Sequence, residues 1–588
     1  MYEDRIFGDL LHPDRRLAGH RAGLSGVRHG HRIDPIIPVP NRPIRLALTA
    51  GGPVAFDAAR CVYAIDGGGG GEIDLRSAGA TWDTIEWGYV HCWSGELPAL
   101  PAGSMVRYRL AARIAGSDEW VHADNQARDA TQATEFAVWI DPNGVPAWAR
   151  EAIVYHVFLD RFYPGDGKDW LQPDGPAGFF GGTLRGVIQK LDYIQSLGFN
   201  AIWMSPLFAS PSHHGYDAVD YYQVEPRLGH HADLKELIDS AHARGLRVIL
   251  DFVANHWSHL HATFQSARCD PSSPYRDWYV WKHWPDDYET YFGVRELPQL
   301  NLRRGPARDY LLDCARYWLK QGVDGYRLDY AYGPPHDFWT DFRRACRMAN
   351  SDCWLFGEVI NTASLQLTYG GRLDGTLDFL LARALRETFG HRTWPLSQFE
   401  SFLAAHEAFF PPEFSCPSFL DNHDMNRFLY LSGGDAARLK LAALVLFTLS
   451  GPPVVYYGTE AGVTQERPIH QNDFGIFEEA RLPMKWGDEQ DADLREFFRR
   501  LVHLRREHSA LRGGARRVVH LDDTAGTYAY RRGDALVALN TGAEPRTLRL
   551  PAGGLPKDAA DRLNGQRVTR DGNWLDVHLA GQSGVFVA

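Results

Sequence analysis

The sequence predicts an α/β protein centred on a (β/α)8 TIM barrel, with an N-terminal β-sandwich before it and a C-terminal β-domain after it. Three observations carry this. Eight short apolar runs succeed one another between residues 147 and 510, amphipathic segments at helical spacing separate them, and both flanks show short alternating runs between turn residues. Strands alternating with helices make βαβ units and hence a parallel sheet, and eight units suffice to close it.

Residues 1–40 carry several prolines and little periodicity, so no element is assigned there and the stretch is read as irregular. From there to Asp141, runs such as Met105 to Ala112 (MVRYRLAA) and Glu135 to Ile140 (EFAVWI), with the pentaglycine Gly67 to Gly71 as a turn, predict an antiparallel sandwich over 1–141. The break at Pro142-Asn143-Gly144 opens the barrel, 142–510. Its strands are predicted at Ile153 to Phe158, Ala201 to Met204, Arg247 to Val253, Val323 to Leu328, Trp354 to Glu358, Thr376 to Phe379, Pro417 to Leu420 and Pro453 to Tyr457. Val187, Leu191, Ile194 and Leu197 recur at helical spacing and Gly198 stops them; His231 to Arg244, Ala307 to Gln321 and Ala436 to Leu449 follow the same grammar. An aromatic insertion after the third strand, 254–302 (with DWYVWKHWPDDYETYF), is predicted to form a subdomain over the barrel mouth. The tail, 511–588, returns to alternating runs such as Ala535 to Asn540 (ALVALN) and predicts a second β-domain.

With 62 Lys+Arg against 73 Asp+Glu, a formal charge of -11 and a pI near 6.1, the chain lacks the basic excess of a phosphate-backbone binder, so nucleic acid is not an expected partner. No apolar run approaches about 18 residues, and Met1 to Arg16 mixes acids and bases, so neither a membrane span nor a secretion signal is expected. Seven cysteines without a CxxC pair suggest neither a disulfide framework nor a zinc site, and the cytoplasm is the expected compartment. Aromatics make 12% of the chain, which suits either a sugar-binding cleft or large aromatic cores.

Barrel chemistry gathers at the C-terminal ends of the strands. There the sequence places Asp251-Phe-Val-Ala-Asn255-His256 after the third strand, Gly325-Tyr-Arg327-Leu-Asp329 on the fourth, Glu358 at the end of the fifth, and Phe419-Leu-Asp-Asn-His423-Asp424 on the seventh. One acid at a strand end is commonly a helix N-cap or half of an ion pair. Asp329, Glu358 and Asp424 on one rim, with imidazoles and a guanidinium beside them, are harder to explain that way. Two carboxyl groups facing one bond are the equipment of glycoside hydrolysis, one donating a proton and the other meeting positive charge on the sugar. No metal-ligand cluster or G-x-S-x-G elbow supports another hydrolase class.

These four segments resemble, in order, the four short motifs of the α-amylase superfamily of retaining glycoside hydrolases. The block from His214 to Tyr221 (HGYDAVDY), leading to Val224-Glu-Pro-Arg-Leu-Gly229, is similar to its Tyr-Asp segment, and Tyr155 to Phe162 (YHVFLDRF) to its first-strand segment. The whole architecture resembles cyclomaltodextrinases, neopullulanases and maltogenic amylases. The resemblance implies Asp329 as nucleophile, Glu358 as general acid/base and Asp424 as the third acid that stabilises the transition state. It implies sugar contacts from Tyr216, His256 and His423, a geometry-holding role for Asp217, and Arg327 as the charge that keeps Asp329 ionised. Asp251 is then a structural partner of Arg327, and Arg427 is either a sugar ligand or an ion-pair partner. Glu358 is expected to hold its proton near neutral pH while Asp329 is ionised. The implied substrates are short or cyclic α-glucans or pullulan, and the implied assembly is a homodimer through the N-terminal domain.

The chain departs from that subfamily where Tyr330-Ala-Tyr332-Gly333 follows the nucleophile in place of Val-Ala-Asn-Glu, and where Ile360 stands at a usually aromatic position. Leu297-Pro-Gln-Leu-Asn301 resembles an extra motif, with Gln299 where Lys or Asp is more usual. These differences bear on the acceptor side, so a glucanotransferase is the alternative to a hydrolase; a non-catalytic glucan-binding protein would have lost reactive acids that are all present. No cofactor is required by the implied chemistry. Asn255 matches a calcium-ligand position of many relatives, while Tyr163 to Asp169 (YPGDGKD) lacks the denser acidic set that accompanies it.

Overall fold

The computed structural model describes residues 6–471 and 474–588. Eight parallel strands carry the site: β1 (Val154–Val157), β2 (Ala201–Met204), β3 (Arg247–Val253), β4 (Gly325–Asp329), β5 (Trp354–Gly357), β6 (Gly375–Thr376), β7 (Ser418–Phe419) and β8 (Pro453–Tyr456). Sheet neighbours run β6-β5-β4-β3-β2-β1-β8-β7. The remaining seam closes through Ser415: its N–H donates to Asp374 O (2.8 Å) and its carbonyl accepts from Thr376 N (3.1 Å). The ring is therefore a barrel and not an open sheet. Continuous burial of β1, β2, β4, β5 and β8 explains why they read as unbroken apolar runs.

Helices α1 (Leu184–Ser196), α2 (His231–Ala243), α3 (Pro306–Lys320) and α4 (His336–Ala349) follow the first four strands, and α5 (Ala436–Thr448) and α6 (Ala492–Glu507) follow the last two. Gly198 and Gly322, just past α1 and α3, take positive φ (94° and 106°) and stop those helices at little steric cost. The predicted sixth strand is shorter than expected. Asp378 accepts from Leu381 N (2.9 Å) and caps a helix at Phe379–Leu385, so Phe379 begins a helix and does not end a strand.

Nine antiparallel strands between Gly26 and Trp139 form the sandwich. The strand Gly70–Asp83 pairs with Phe56–Ile65 through its first half and with Gly88–Leu97 through its second, turning at a bulge beside Gly79 and folding one sheet around a single core. The domain docks on α4. His31 stacks on His336 at 3.7 Å, and Arg107–Asp341 and Arg343–Asp141 pair across the boundary. The irregular reading of residues 1–40 is corrected: Pro13–Leu24 is an α-helix, and Gly26–Arg28 and Ile33–Asp34 join the sandwich. The helix buries none of its residues, which is why no apolar periodicity announced it.

The insertion holds a helix at Ala262–Cys269 and a two-stranded ribbon, Trp281–His283 with Asp287–Tyr288. Its aromatics divide: Trp257, Phe264, Trp278 and Tyr288 are core, while Tyr291 and Phe292 face the cleft. The C-terminal domain packs a four-stranded sheet against a three-stranded one between Arg516 and Val587.

Candidate active site

Period-two geometry puts Arg327 and Asp329 on one face of β4, and the β3–β4 register sets Asp251 opposite Arg327. The fully buried Arg327 guanidinium organises the site: Nη1 donates to Asp251 Oδ1 (2.8 Å) and Oδ2 (2.9 Å) and to Asp329 Oδ1 (2.9 Å), and Nη2 lies 2.7 Å from Glu358 Oε1. Asp329 and Glu358 are thus held by the two ends of one planar group. Glu358 follows Gly357, where a Cβ would stand 2.8 Å from Leu373 Cδ1 and 2.9 Å from Ala331 Cβ, so only glycine lets the strand approach there. Tyr330 N donates to Glu358 Oε2 (3.2 Å), which fixes the second carboxyl oxygen.

The seventh strand brings the third acid. Asp424 Oδ2 lies 3.0 Å from His423 Nε2, and its Oδ1 accepts from Arg481 Nη2 at 2.7 Å. Arg481 Nε also donates to His423 O (2.8 Å). Tyr216 donates to Asp251 Oδ2 (3.1 Å), with its hydroxyl 2.6 Å from His423 Nε2 and the two rings parallel at 5.4 Å. His256 packs its ring on Tyr291 (4.5 Å) and, with Tyr216, Asp329, Glu358 and Asp424, lines a cleft of about 840 Å³. Asp217 is one shell out: its Oδ1 accepts from Ser210 (2.6 Å) and Ser212, tying down the loop that presents Tyr216.

Two arginines exchange places relative to expectation. Arg427 does not line the cleft. It is fully buried behind the rim, donating to Ala480 O (2.9 Å) and Tyr457 O (2.6 Å) and lying 3.9 Å over the Tyr456 ring, so it supports the β8 loop and is neither a sugar ligand nor an ion-pair partner. The cleft arginine that reaches the acids is Arg481, at the end of a short 3₁₀ turn after β8, in a stretch without a motif to mark it; Arg15 lines the cleft from the N-terminal helix.

Four carboxyl groups, Asp251, Asp329, Glu358 and Asp424, share two guanidinium groups, so they cannot all ionise without excess buried charge. Burial, then the charges of Asp329 and Asp424, push Glu358 up to about 7 despite Arg327. Asp329 does not stay in the ordinary range as expected: burial, then Asp251 and Asp424, raise it to about 7 against the pull of Arg327. The pair accordingly titrates as a unit, one proton between them near neutrality. Burial works against Asp424 too, yet His423, Arg481 and Arg327 hold it well below the carboxylate range. His423, lowered to about 4, and His256, lowered to about 3, both chiefly by burial, are neutral at pH 7. Arg481 is therefore the permanent charge partner of Asp424.

Asn255 Nδ2 lies 3.3 Å from His256 Nδ1, and among the described residues no three acidic, His or Cys groups gather to hold a metal.

A closed parallel barrel with paired carboxyl groups at its C-terminal rim has the equipment of a glycoside hydrolase. The model of the α-amylase catalytic domain matches residues 156–498. The chain is 34% identical over 524 residues to α-amylase 2 of Dictyoglomus thermophilum (87% of this chain, 88% of that one) and 35% identical over 432 residues to a cyclomaltodextrinase of a Bacillus species (69% and 76%). A cyclomaltodextrinase structure superposes with a TM-score of 0.71 at 27% identity, covering 96% of this chain and 99% of that one. The chain belongs to the α-amylase family. Among the described residues no helix is long and apolar enough to cross a membrane.

Proposed function

We propose that this enzyme cleaves α-1,4 bonds of short or cyclic maltodextrins, or of pullulan, with retention of anomeric configuration. The supporting observation is the single Arg327 guanidinium that bridges Asp329 and Glu358. One guanidinium touching both carboxyl groups holds them side by side, the arrangement a retaining enzyme needs, where the two groups stand about 5–5.5 Å apart. In this reading the proton shared by the pair resides on Glu358 when substrate binds. Glu358 passes it to the glycosidic oxygen while Asp329 attacks the anomeric carbon, giving a glycosyl-enzyme. Glu358 then takes a proton from water, which attacks the same carbon and frees Asp329. Ionised Asp424 and neutral His256 contact the sugar from the cleft wall, while His423, fully buried and absent from that wall, positions Asp424 and Tyr216 from behind.

This chemistry needs no cofactor. The seven unpaired cysteines fit a reducing compartment, hence the cytoplasm. The exposed cluster Trp82, Trp87 and Tyr89 on a sandwich hairpin supports self-association through that domain. Incubation with β-cyclodextrin, pullulan, starch and maltotriose, with products separated and their initial anomeric form read by NMR, tests the reading. Products of inverted configuration would refute it. A second reading, sugar transfer, is favoured by the aromatic surround of Tyr291, Phe292, Tyr330 and Tyr332 on the rim beside Glu358, which limits water; oligosaccharides longer than the maltotriose supplied would reveal it.

A further inference from the structure

The cleft of the three acids has a wall from a distant part of the chain. Ile6, Phe7, Gly8, Leu10 and Arg15 line it together with Asp329, Glu358 and Asp424. Phe7 is only 7% exposed, buried in an apolar cluster that includes Leu377, Phe379 and Met425, with Ile6 and Ile360 packed against it. Ile360 stands two residues after Glu358 and Met425 directly after Asp424, so this cluster touches the flanks of both the acid/base and the third acid. Gly8–Leu11 forms a short 3₁₀ turn, with Leu10 N donating to Phe7 O (3.0 Å). The helix Pro13–Leu24, about 18 Å long, leads back to the sandwich, where His20 Nε2 lies 2.9 Å from Asp83 Oδ2.

The segment is thus a strap, held at one end by the sandwich and at the other by Phe7 with Ile6 beside it. In the ring of strands β6 and β7 stand across from β2 and β3. The strap accordingly closes the mouth on the side opposite Tyr291 and Phe292 of the inserted subdomain. A sugar platform must leave a ring face open to stack on, and Phe7 leaves almost none. Ile6, Phe7 and Leu10 offer no side-chain donors or acceptors, and Arg15 alone of the lining residues from this segment carries a polar side chain, so a glucan chain passing over residues 6–11 would lose hydration of its hydroxyls with few replacement hydrogen bonds.

We propose that residues 6–11, anchored by Phe7, are an apolar end-stop of the cleft, which admits glucans that terminate against it and excludes long chains that must run through. The inference rests on the α-glucan reading above and narrows it to short linear maltodextrins, because neither a closed ring nor the internal bonds of pullulan can terminate against a wall. Phe7 shares its cluster with the barrel residues Trp203 and Phe356, so the melting curves below separate a loosened strap from a loosened core.

The test compares kcat/KM on maltotriose and on soluble starch for the full chain, for Phe7→Ala, for Leu10→Ala and for the conservative Phe7→Leu, with thermal melts of each. Phe7→Ala should raise the starch-to-maltotriose ratio by about tenfold, the effect of relieving one steric exclusion in a pocket. Phe7→Leu should stay within about twofold of the intact chain, because a leucine still fills the anchor site. Leu10 is 42% exposed, so Leu10→Ala retains the fold and should move the ratio in the same direction. Detachment of the whole strap in Phe7→Ala gives the same sign, since the mouth is then open. A ratio unchanged or lowered in both alanine variants overturns the end-stop while leaving the functional reading standing. An intact chain inert on every glucan overturns the functional reading and this inference with it.

Discussion

Arg481→Met probes the part of the site that carries no motif. Arg481 places one N–H on Asp424 Oδ1 (2.7 Å) and another on His423 O (2.8 Å), between the rings of Phe158 and Phe477 (5.3 and 5.4 Å). Methionine keeps the apolar contact with those rings and removes the charge. A hydrogen bond to a charged group contributes about 1.5–3 kcal/mol. The Asp424 side chain is 35% exposed toward the cleft, so solvent screening brings the expected loss to about 1–2 kcal/mol, or roughly 5- to 30-fold in kcat/KM. The pH profile supplies a second readout. Asp424 is held well below its ordinary range, and it must be ionised to meet positive charge on the sugar. Without Arg481 its folded pKa rises, so the acid limb of kcat/KM moves to higher pH. Arg481→Lys, which keeps the charge but not the two-point hold, should recover the limb more than the rate. The assay is the pH dependence of maltotriose cleavage with melting curves alongside. A variant of unchanged melting temperature, with kcat/KM within about twofold of the parent and an unmoved acid limb, would show that Arg481 does not hold Asp424 for the reaction.

Asp329→Asn should cost roughly 10⁴-fold or more in kcat while the melting temperature at pH 8 holds or rises, since a raised carboxyl pKa makes stability fall as pH climbs from the unfolded value through about 7; differential scanning calorimetry with a turnover assay reads both. Because Glu358 must carry its proton to act, kcat/KM should decline above about pH 7, and that alkaline limb should vanish from the residual activity of Glu358→Gln. Arg427→Met should lower the melting temperature, costing about 1–3 kcal/mol in lost hydrogen bonds, with KM for maltotriose unchanged because the residue sits behind the rim. Dialysis against EDTA should leave both turnover and melting temperature where they were, since among the described residues no three His, Cys, Asp or Glu side chains gather to hold a metal.

Much of this was legible in the chain. The eight strands were placed to within a few residues because their burial makes them uninterrupted apolar runs, and Asp329, Glu358 and Asp424 were legible because strand ends are where a barrel assembles a site. The helix Pro13–Leu24 was not, since it buries nothing and so carries no apolar stripe to read. Arg427 was misplaced by its nearness to Asp424: the Asn426 side chain bonds Gln465 and Ile469 N (2.8 and 2.9 Å), and the turn sends the next residue to the back of the rim.

By itself, then, the amino-acid order determined which strands exist, which faces they bury and which acids reach one rim, because periodicity and strand ends are local properties of the chain. Tertiary structure alone decided what surrounds those acids: Arg481 from 57 residues beyond Asp424, Phe7 from the N-terminal strap, and the crowding of four carboxyl groups around two guanidinium groups that raises Asp329 together with Glu358. Charge and exclusion act through space, and a pKa or a cleft wall depends on every group that folding brings within a few ångströms, whatever its distance along the sequence.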